Sequence, residues 1–409
     1  MKFRLRTVLY IVAAVIAVAA LSSVITAKII SARRGGVVEL SAEEYDRLNQ
    51  FRGLDEMIES IDQKYYGTVP DRDALIKAAA HGILEALGDP YSAYYTNEEY
   101  EQYLKRFNGE YVGIGAMVGQ VGEEGSKILD VYEDSPASAA GVKVGDVITE
   151  VDGKSIAGIS LEDLSVRLSG PEGTVISLTV QRGGQLLSFD LKLAKINVRR
   201  VHSKLLSERT GYIRIDMFSG GCAEEFKEAI RDLTDRKMRS LVIDLRNNPG
   251  GSLSAVVDVV DAILSEGAIV TVKGSGGEEE AYRAKQGGIN VPLAILVNEH
   301  SASASEILAA AIKENGAGII VGTKTYGKGV VQTTFQLSSN QAWLKLTTAA
   351  YYTPSGANID RLGIEPDIRV DLADEYKNYS IAQLDQKDDA QLWAALDEVR
   401  AQADALDAA

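Results

Sequence analysis

Cysteine is almost absent from this 409-residue chain. The single thiol, Cys222, excludes an internal disulfide, and in its Ser/Gly-rich turn it reads as a small residue without a catalytic role. Histidine is nearly as scarce, with only His81, His202 and His300. There is no His-x-x-x-His pair and no clustered Cys spacing, so neither a metal site nor a cofactor is expected. Neither His81 nor His202 comes with a recognisable Asp or Glu partner, which removes the usual base for a hydroxyl nucleophile. Positive charge is outnumbered, 43 Lys and Arg against 58 Asp and Glu, and the net charge of −15 argues against a nucleic-acid partner. Low complexity is confined to Gly274-Ser-Gly-Gly-Glu-Glu-Glu. What remains is an ordinary globular composition in a chain long enough for two or three domains.

One long apolar run stands apart. Residues 8–27 carry no charge and follow Lys2, Arg4 and Arg6. As a helix this run spans about 30 Å, a bilayer core, whereas a cleavable signal peptide has an apolar stretch of only about 7–15 residues. Residues 1–34 are therefore expected to be a retained signal anchor, although Ala17-Val-Ala19 has the form of a cleavage site.

Three further regions, and a tail, differ in period. Across residues 35–105 apolar residues recur at helical spacing, in the stripes Leu54, Met57, Ile58, Ile61 and Leu75, Ile76, Ala79, Ile83, Leu87, stopped by Gly88 and Pro90. Residues 106–195 read as short strands with one or two helices. They hold Gly113-Ile114-Gly115-Ala, a run from Asp134 through Gly141 to Gly145-Asp-Val-Ile, and Val151-Asp-Gly-Lys, an Asp-Gly hairpin turn. In residues 196–370 strands alternate with helices, the signature of an α/β core. Residues 371–409 turn helical again, with Leu384, Leu392, Leu396 and Val399 as apolar positions.

The chemistry concentrates in two short blocks, Asn298-Glu-His-Ser-Ala-Ser303-Ala-Ser-Glu306 and Tyr326-Gly-Lys328-Gly-Val-Val-Gln332. A serine in a small-residue turn at the mouth of a helix, followed by a lysine at a glycine-flanked strand entry, suggests a serine nucleophile with a lysine base. Such a lysine must be neutral. Bringing its pKa from about 10.4 to about 7–8 costs roughly 3–4 kcal/mol, supplied by burial away from carboxylates. No acidic residue lies between Gly322 and Ala342. If the segment is a strand, Lys328 and Gln332 share a face, and the amide can hold the lysine without adding charge. Ser303-Ala-Ser-Glu306 is equally a helix capping box, and Ser301 and Ser305 are rival nucleophiles. Gly322 to Lys328 also fits G-x-x-x-x-G-K, but Gly329 stands where a phosphate-binding loop needs Ser or Thr, and a strand follows where a helix must begin.

These blocks resemble those of the C-terminal processing peptidases, the tail-specific proteases, with a Ser-Ala-Ser-Ala-Ser-Glu block and a Gly-Lys-Gly-x-x-Gln block at this spacing. The ordered set in residues 106–195 resembles a PDZ domain. The resemblance implies a multidomain α/β protein, with a ββα-spiral core like those of Clp-type peptidases and crotonases, an inserted PDZ domain and helical terminal regions. It implies Ser303 as nucleophile, since only this serine has the family's spacing to Lys328, and Gln332 as third catalytic residue. The oxyanion would be held by Ala304 N–H with Gly250 or Gly251, from Asp244-Leu-Arg-Asn-Asn-Pro-Gly250-Gly251. The backbone around Gly113, Ile114 and Gly115 would capture the terminal carboxylate of a protein substrate with an apolar tail, with Ile114 helping to line a pocket for its last side chain. The expected protein is a membrane-anchored, extracytoplasmic serine endopeptidase of processing, quality control or signalling, homo-oligomeric (a dimer) through its terminal helices. The alternative is an inactive PDZ scaffold that binds protein tails. His300 and Ser169 stand where the family carries a small residue and, often, an arginine.

Overall fold

The computed structural model describes residues 41–408, apart from 133, 286–287, 374–375, 377–380 and 382–383. The anchor expected in residues 1–34 lies outside the described residues. Among the described residues no helix is long and apolar enough to cross a membrane. Contacts divide the chain into residues 1–80 and 81–409, and every candidate site residue belongs to the second unit.

In the first unit Ser41 and Glu44 form a capping box at the start of helix Ala42–Asn49, and helix Arg52–Lys64 follows. Both are amphipathic, yet Tyr45, Leu48, Phe51 and Met57 stay exposed.

The centre of the second unit is a six-stranded sheet. Its order is Val201–Leu205, Thr210–Ile215, Ser240–Asp244, Leu293–Val297, Ile319–Gly322 and Ile368–Arg369, parallel throughout except for the first pair. Ser240–Asp244 and Leu293–Val297 are buried at every position, because parallel strands are covered on both faces. Helices Cys222–Asp235, Leu253–Ile263 and Ala304–Glu314 cover one face with Phe226, Val256 and Leu308. Helix Ala390–Asp407 covers the other, packing Leu392, Leu396 and Val399 on Tyr212, Val242 and Leu296. Leu384 lies outside that helix, contrary to the periodicity reading. The apolar face of the C-terminal helix is thus used within the chain rather than left for a partner copy.

A second, antiparallel sheet contains Gly267–Gly274, Glu279–Ala284, Val330–Gln336 and Trp343–Tyr352. Its fifth strand, Ala93–Tyr95, comes from the stretch read as purely helical and pairs with residues 343–345. The strand-forming signal there is only three residues long, and pairing with the neighbouring strand overrides the helical reading.

The third sheet is built from Ala116–Gly122, Gly125–Val131, Val147–Val151, Val175–Arg182 and Gln185–Lys192, around a core containing Ile128, Ile148, Leu164 and Leu178. Asp152 and Gly153 both take positive φ, 52° and 68°, the geometry an Asp-Gly hairpin requires. The short helix Pro136–Ala140 ends at Gly141, as its sequence suggested. Ala116–Gly122 is one of the two edge strands of this sheet, and helix Leu161–Arg167 packs beside it.

Candidate active site

Three loops leave the same ends of three neighbouring parallel strands. The glycine turn follows Ser240–Asp244, the serine block follows Leu293–Val297, and the lysine loop follows Ile319–Gly322. Hydrogen bonds then fasten the loops side by side. Asn247 N–H donates to Asn298 Oδ1 (2.9 Å), Ser301 Oγ to Leu245 O (2.8 Å), Ala302 N–H to Asn248 O (3.1 Å) and Ser305 Oγ to Asn248 O (2.9 Å). Tyr326 N–H donates to Ser301 O (3.1 Å).

This fastening separates the three serines. Ser301 and Ser305 are fully buried, and their hydroxyls are committed to backbone carbonyls. Ser303 alone of the three lines a cleft of about 450 Å³ shared with Gly250, Gly251, Ala304, Lys328 and Gln332. Its backbone is held at φ 55°, ψ −114°, a conformation that L-residues avoid and that costs about 1–3 kcal/mol. At the start of the helix Glu306 N–H donates to the Ser303 carbonyl (2.9 Å). The capping box read from the sequence is present, with Glu306 accepting from Ser303 N–H, and its glutamate has a second use.

The buried Glu306 carboxylate accepts from Ser303 N–H (2.8 Å), Thr325 Oγ1 (2.6 Å), Gly327 N–H (2.7 Å) and Lys328 N–H (2.9 Å). Burial pushes the Glu306 carboxyl above its ordinary range, against the pull of those donors. One side chain thus locks the serine turn to the lysine loop, a role added to the helix cap that the Ser-x-x-Glu pattern signals. Glu306→Gln must offer an amide N–H to groups that are all donors. It is expected to lower kcat by about 10²-fold while the protein still folds, since an error near 1 Å in a reacting group costs that much. Rates and thermal melting measured on the same preparation check it.

Lys328 is half-buried. Burial, then the charge of Lys345, lower its pKa, while Asp89 and Glu306 oppose them. The site is thus not free of carboxylates, as the local sequence implied: the opposing acids come from distant segments. The Lys328 ammonium also lies 4.5 Å from the centre of the Tyr91 ring. Strand Val330–Gln336 begins two residues after Lys328 and bulges between Val331 and Gln332, so simple alternation does not set the relation of Lys328 to Gln332. Both line the cleft all the same. Gln332 Nε2 donates to Thr347 Oγ1 (3.2 Å), which leaves the amide oxygen for another donor. Tyr351, which the sequence did not single out, donates its hydroxyl to Lys328 O and sits beside the Ser303 hydroxyl.

The glycine turn presses against the serine. A Cβ on Gly250 would lie 2.6 Å from Ala302 O and 2.9 Å from Ala304 N, and one on Gly251 would lie 2.2 Å from Phe218 O, so only glycine fits at either position. Gly250 N–H is taken by Asn248 Oδ1 (2.9 Å). Gly251 N–H and Ala304 N–H make no hydrogen bond to another described residue, and both residues line the cleft. Arg246 in the same turn is fully buried, paired with Asp244 (2.6 Å) and with Asp389 (2.8 Å), the N-cap of the C-terminal helix.

The histidines lie apart from this cleft. His300 is exposed and does not line it. His202 does have an acid partner, Asp216 (2.8 Å), which strand pairing supplies and sequence proximity hid, but neither lines the serine cleft. Cys222 is buried, and burial pushes its thiol up to about 12, so it is inert. No cluster of metal-ligating side chains occurs among the described residues.

Gly113, Ile114 and Gly115 precede the edge strand Ala116–Gly122, and all three are buried. Ile114 packs in the core of its sheet rather than lining an open groove. Its N–H makes no hydrogen bond to another described residue, whereas Gly115 N–H faces the Tyr111 hydroxyl oxygen, and the two carbonyls accept from Ala137 and Tyr132. A Cβ on Gly113 would lie 3.0 Å from the Leu168 carbonyl oxygen, so a larger residue there disturbs the domain itself.

An α/β core with a serine cleft at the ends of its parallel strands defines a serine-type peptidase. The profile of peptidase family S41 matches residues 209–370, and that of a PDZ domain matches residues 127–182. A carboxy-terminal-processing protease of Bartonella bacilliformis is 37% identical over 348 residues, covering 82% of this chain and 78% of its own. A CtpA-like serine protease of Staphylococcus haemolyticus is 33% identical over 368 residues, covering 89% of this chain and 73% of its own. A Bacteroides fragilis structure assigned to the S41 proteases has a TM-score of 0.56 at 16% identity, covering 85% of this chain and 97% of that one, a likeness of fold. The chain belongs to peptidase family S41, the carboxy-terminal-processing serine proteases.

Proposed function

We propose that this peptidase cleaves proteins with a Ser303–Lys328 pair and selects them by their C-termini. The observation that carries the reading is that Ser303 alone of the three serines faces the cleft that holds a lysine of lowered pKa. Neutral Lys328 takes the Ser303 proton as Oγ attacks the scissile carbonyl, and Gln332 positions the amine through its free amide oxygen. The carbonyl π electrons move to oxygen, where Ala304 N–H and Gly251 N–H receive the charge. Gly250, whose own N–H is engaged, shapes the turn. As the C–N bond breaks, the Lys328 ammonium returns its proton to the leaving amine. Lys328 then activates the water that hydrolyses the acyl ester.

Tail selection rests on the edge strand and the backbone N–H groups before it, of which Gly115 N–H would exchange the Tyr111 hydroxyl for the substrate carboxylate. A substrate tail adds to Ala116–Gly122 beside helix Leu161–Arg167, and its carboxylate meets the N–H groups of Ile114 and Gly115. Gly113 supplies the close backbone approach, and apolar tails suit the apolar flank. The experiment compares a protein substrate with an apolar tail with its C-terminally amidated form. The acid should be cleaved with a kcat/KM at least about tenfold higher, in line with a charge-assisted contact. Equal rates would remove carboxylate capture from the mechanism. The same reading places the catalytic body outside the cytoplasm behind the anchor of residues 1–34. It also assigns homo-oligomerisation to the exposed apolar residues of the N-terminal helices, which sedimentation of the full chain tests.

A further inference from the structure

The cleft holds a second lysine that the mechanism does not use. Lys345 lines it together with Lys328, and no Asp or Glu is among its lining residues. Register explains the placement. Lys345 pairs with Thr334, and Thr347 with Gln332, so these four residues share one face of the sheet, with Lys345 two positions from the residue that Gln332 touches. The Lys345 ammonium lies 5.7 Å from the centre of the Tyr95 ring and 5.3 Å from that of Tyr103. Tyr103 is itself stacked between Tyr95 and Phe107, which fixes the platform. Among the described residues no carboxylate forms an ion pair with Lys345.

We infer that Lys345 is a positioning residue that acts through Lys328: its ammonium, held on two tyrosine rings in the same cleft, works against a second positive charge beside Ser303. The inference deepens the Ser303–Lys328 reading and rests on it. An unpaired cation is costly near a lysine that must be neutral only if that lysine is protonated, so the cost falls on the inactive form. The aromatic faces hold the charge where a carboxylate would cancel it. Opposing groups around Lys328 are Asp89 and Glu306, with Tyr91 against its ammonium. Glu306 spends its oxygens on four donors, and Asp89 accepts from Ser92 Oγ (2.5 Å) and Tyr91 N–H (3.1 Å), so neither is directed solely at the amine.

The test uses the full chain as Lys345→Met and Lys345→Arg, with kcat/KM on a peptide substrate measured between about pH 5 and 10. In Lys345→Met the acidic limb should move to higher pH, so that activity on that limb falls roughly three- to tenfold, and the profile should converge with the parent on the alkaline plateau. Lys345→Arg should restore the limb. A second readout, in the Ser303→Ala background, is the pH dependence of Lys328 labelling by an amine-directed reagent, which should shift in the same direction. An unshifted limb and labelling curve in Lys345→Met, an equal loss at every pH, or Lys345→Arg behaving as Lys345→Met would each overturn the inference. Failure of the Ser–Lys reading looks different: labelling would shift while the rate profile did not follow. Should Lys345→Met fail to fold, Lys345→Gln carries the same comparison.

Discussion

Ser303→Ala is expected to cut kcat/KM on a peptide by about 10⁴- to 10⁶-fold, the range seen when a serine nucleophile is removed. The turn is held by Glu306 through the Ser303 backbone, which alanine preserves, and thermal melting should be unchanged. Ser305→Ala removes a hydrogen bond to Asn248 O and should cost about 1 kcal/mol of stability while activity persists. A folded Ser305→Ala protein as inactive as Ser303→Ala would move the nucleophile.

Lys328→Ala should be as inactive as Ser303→Ala, because the pair works as one unit and an unactivated hydroxyl is a poor nucleophile. Lys328→Arg should fail equally, since a guanidinium stays protonated at any working pH. The sign of the pH dependence follows from the neutral amine. Burial, then Lys345, lower the Lys328 pKa, so kcat/KM should rise with pH through that lowered value and level off below the ordinary lysine range. The same shift bears on stability. Between the folded value and that of an ordinary lysine the unfolded chain binds more protons, so this group costs stability increasingly as pH falls through that window. Lys328→Met, which buries no charge, should therefore melt no lower than the parent at neutral pH. A pH–rate profile and a melting curve on each variant check both statements. If His300→Ala were inactive and Lys328→Ala active, the base would be a histidine.

Much of the α/β core was legible because its signals are local. Residues 241–243 and Leu293–Val297 are unbroken apolar runs, and the Asp152-Gly153 turn and the Gly141 helix stop are written in single residues. The strand Ala93–Tyr95 was not legible, because three tyrosine-rich residues form a strand only when Trp343–Tyr352 offers its edge. His202 and Asp216 are fourteen positions apart and meet only across a strand pair. The pocket role read for Ile114 failed for a related reason, since a hydrophobic residue after a glycine packs inward as readily as outward.

The sequence by itself determined the residue types of the candidate centre and their order: a serine before a helix, a lysine between glycines, a glutamine four residues on, and a glycine pair ending a buried strand. These are short-range choices, set by backbone conformation and by the spacing of side chains along one segment. Only the tertiary structure decided which serine faces the cleft, because the hydroxyls of Ser301 and Ser305 are consumed by carbonyls more than fifty residues away. It separated Gly251 from Gly250 by giving the latter's N–H to Asn248. It also assembled the charges around Lys328, from Asp89, Glu306 and Lys345, that set the state of its amine. Hydrogen-bond commitment and electrostatic environment depend on distances in space, and separation along the chain does not encode them.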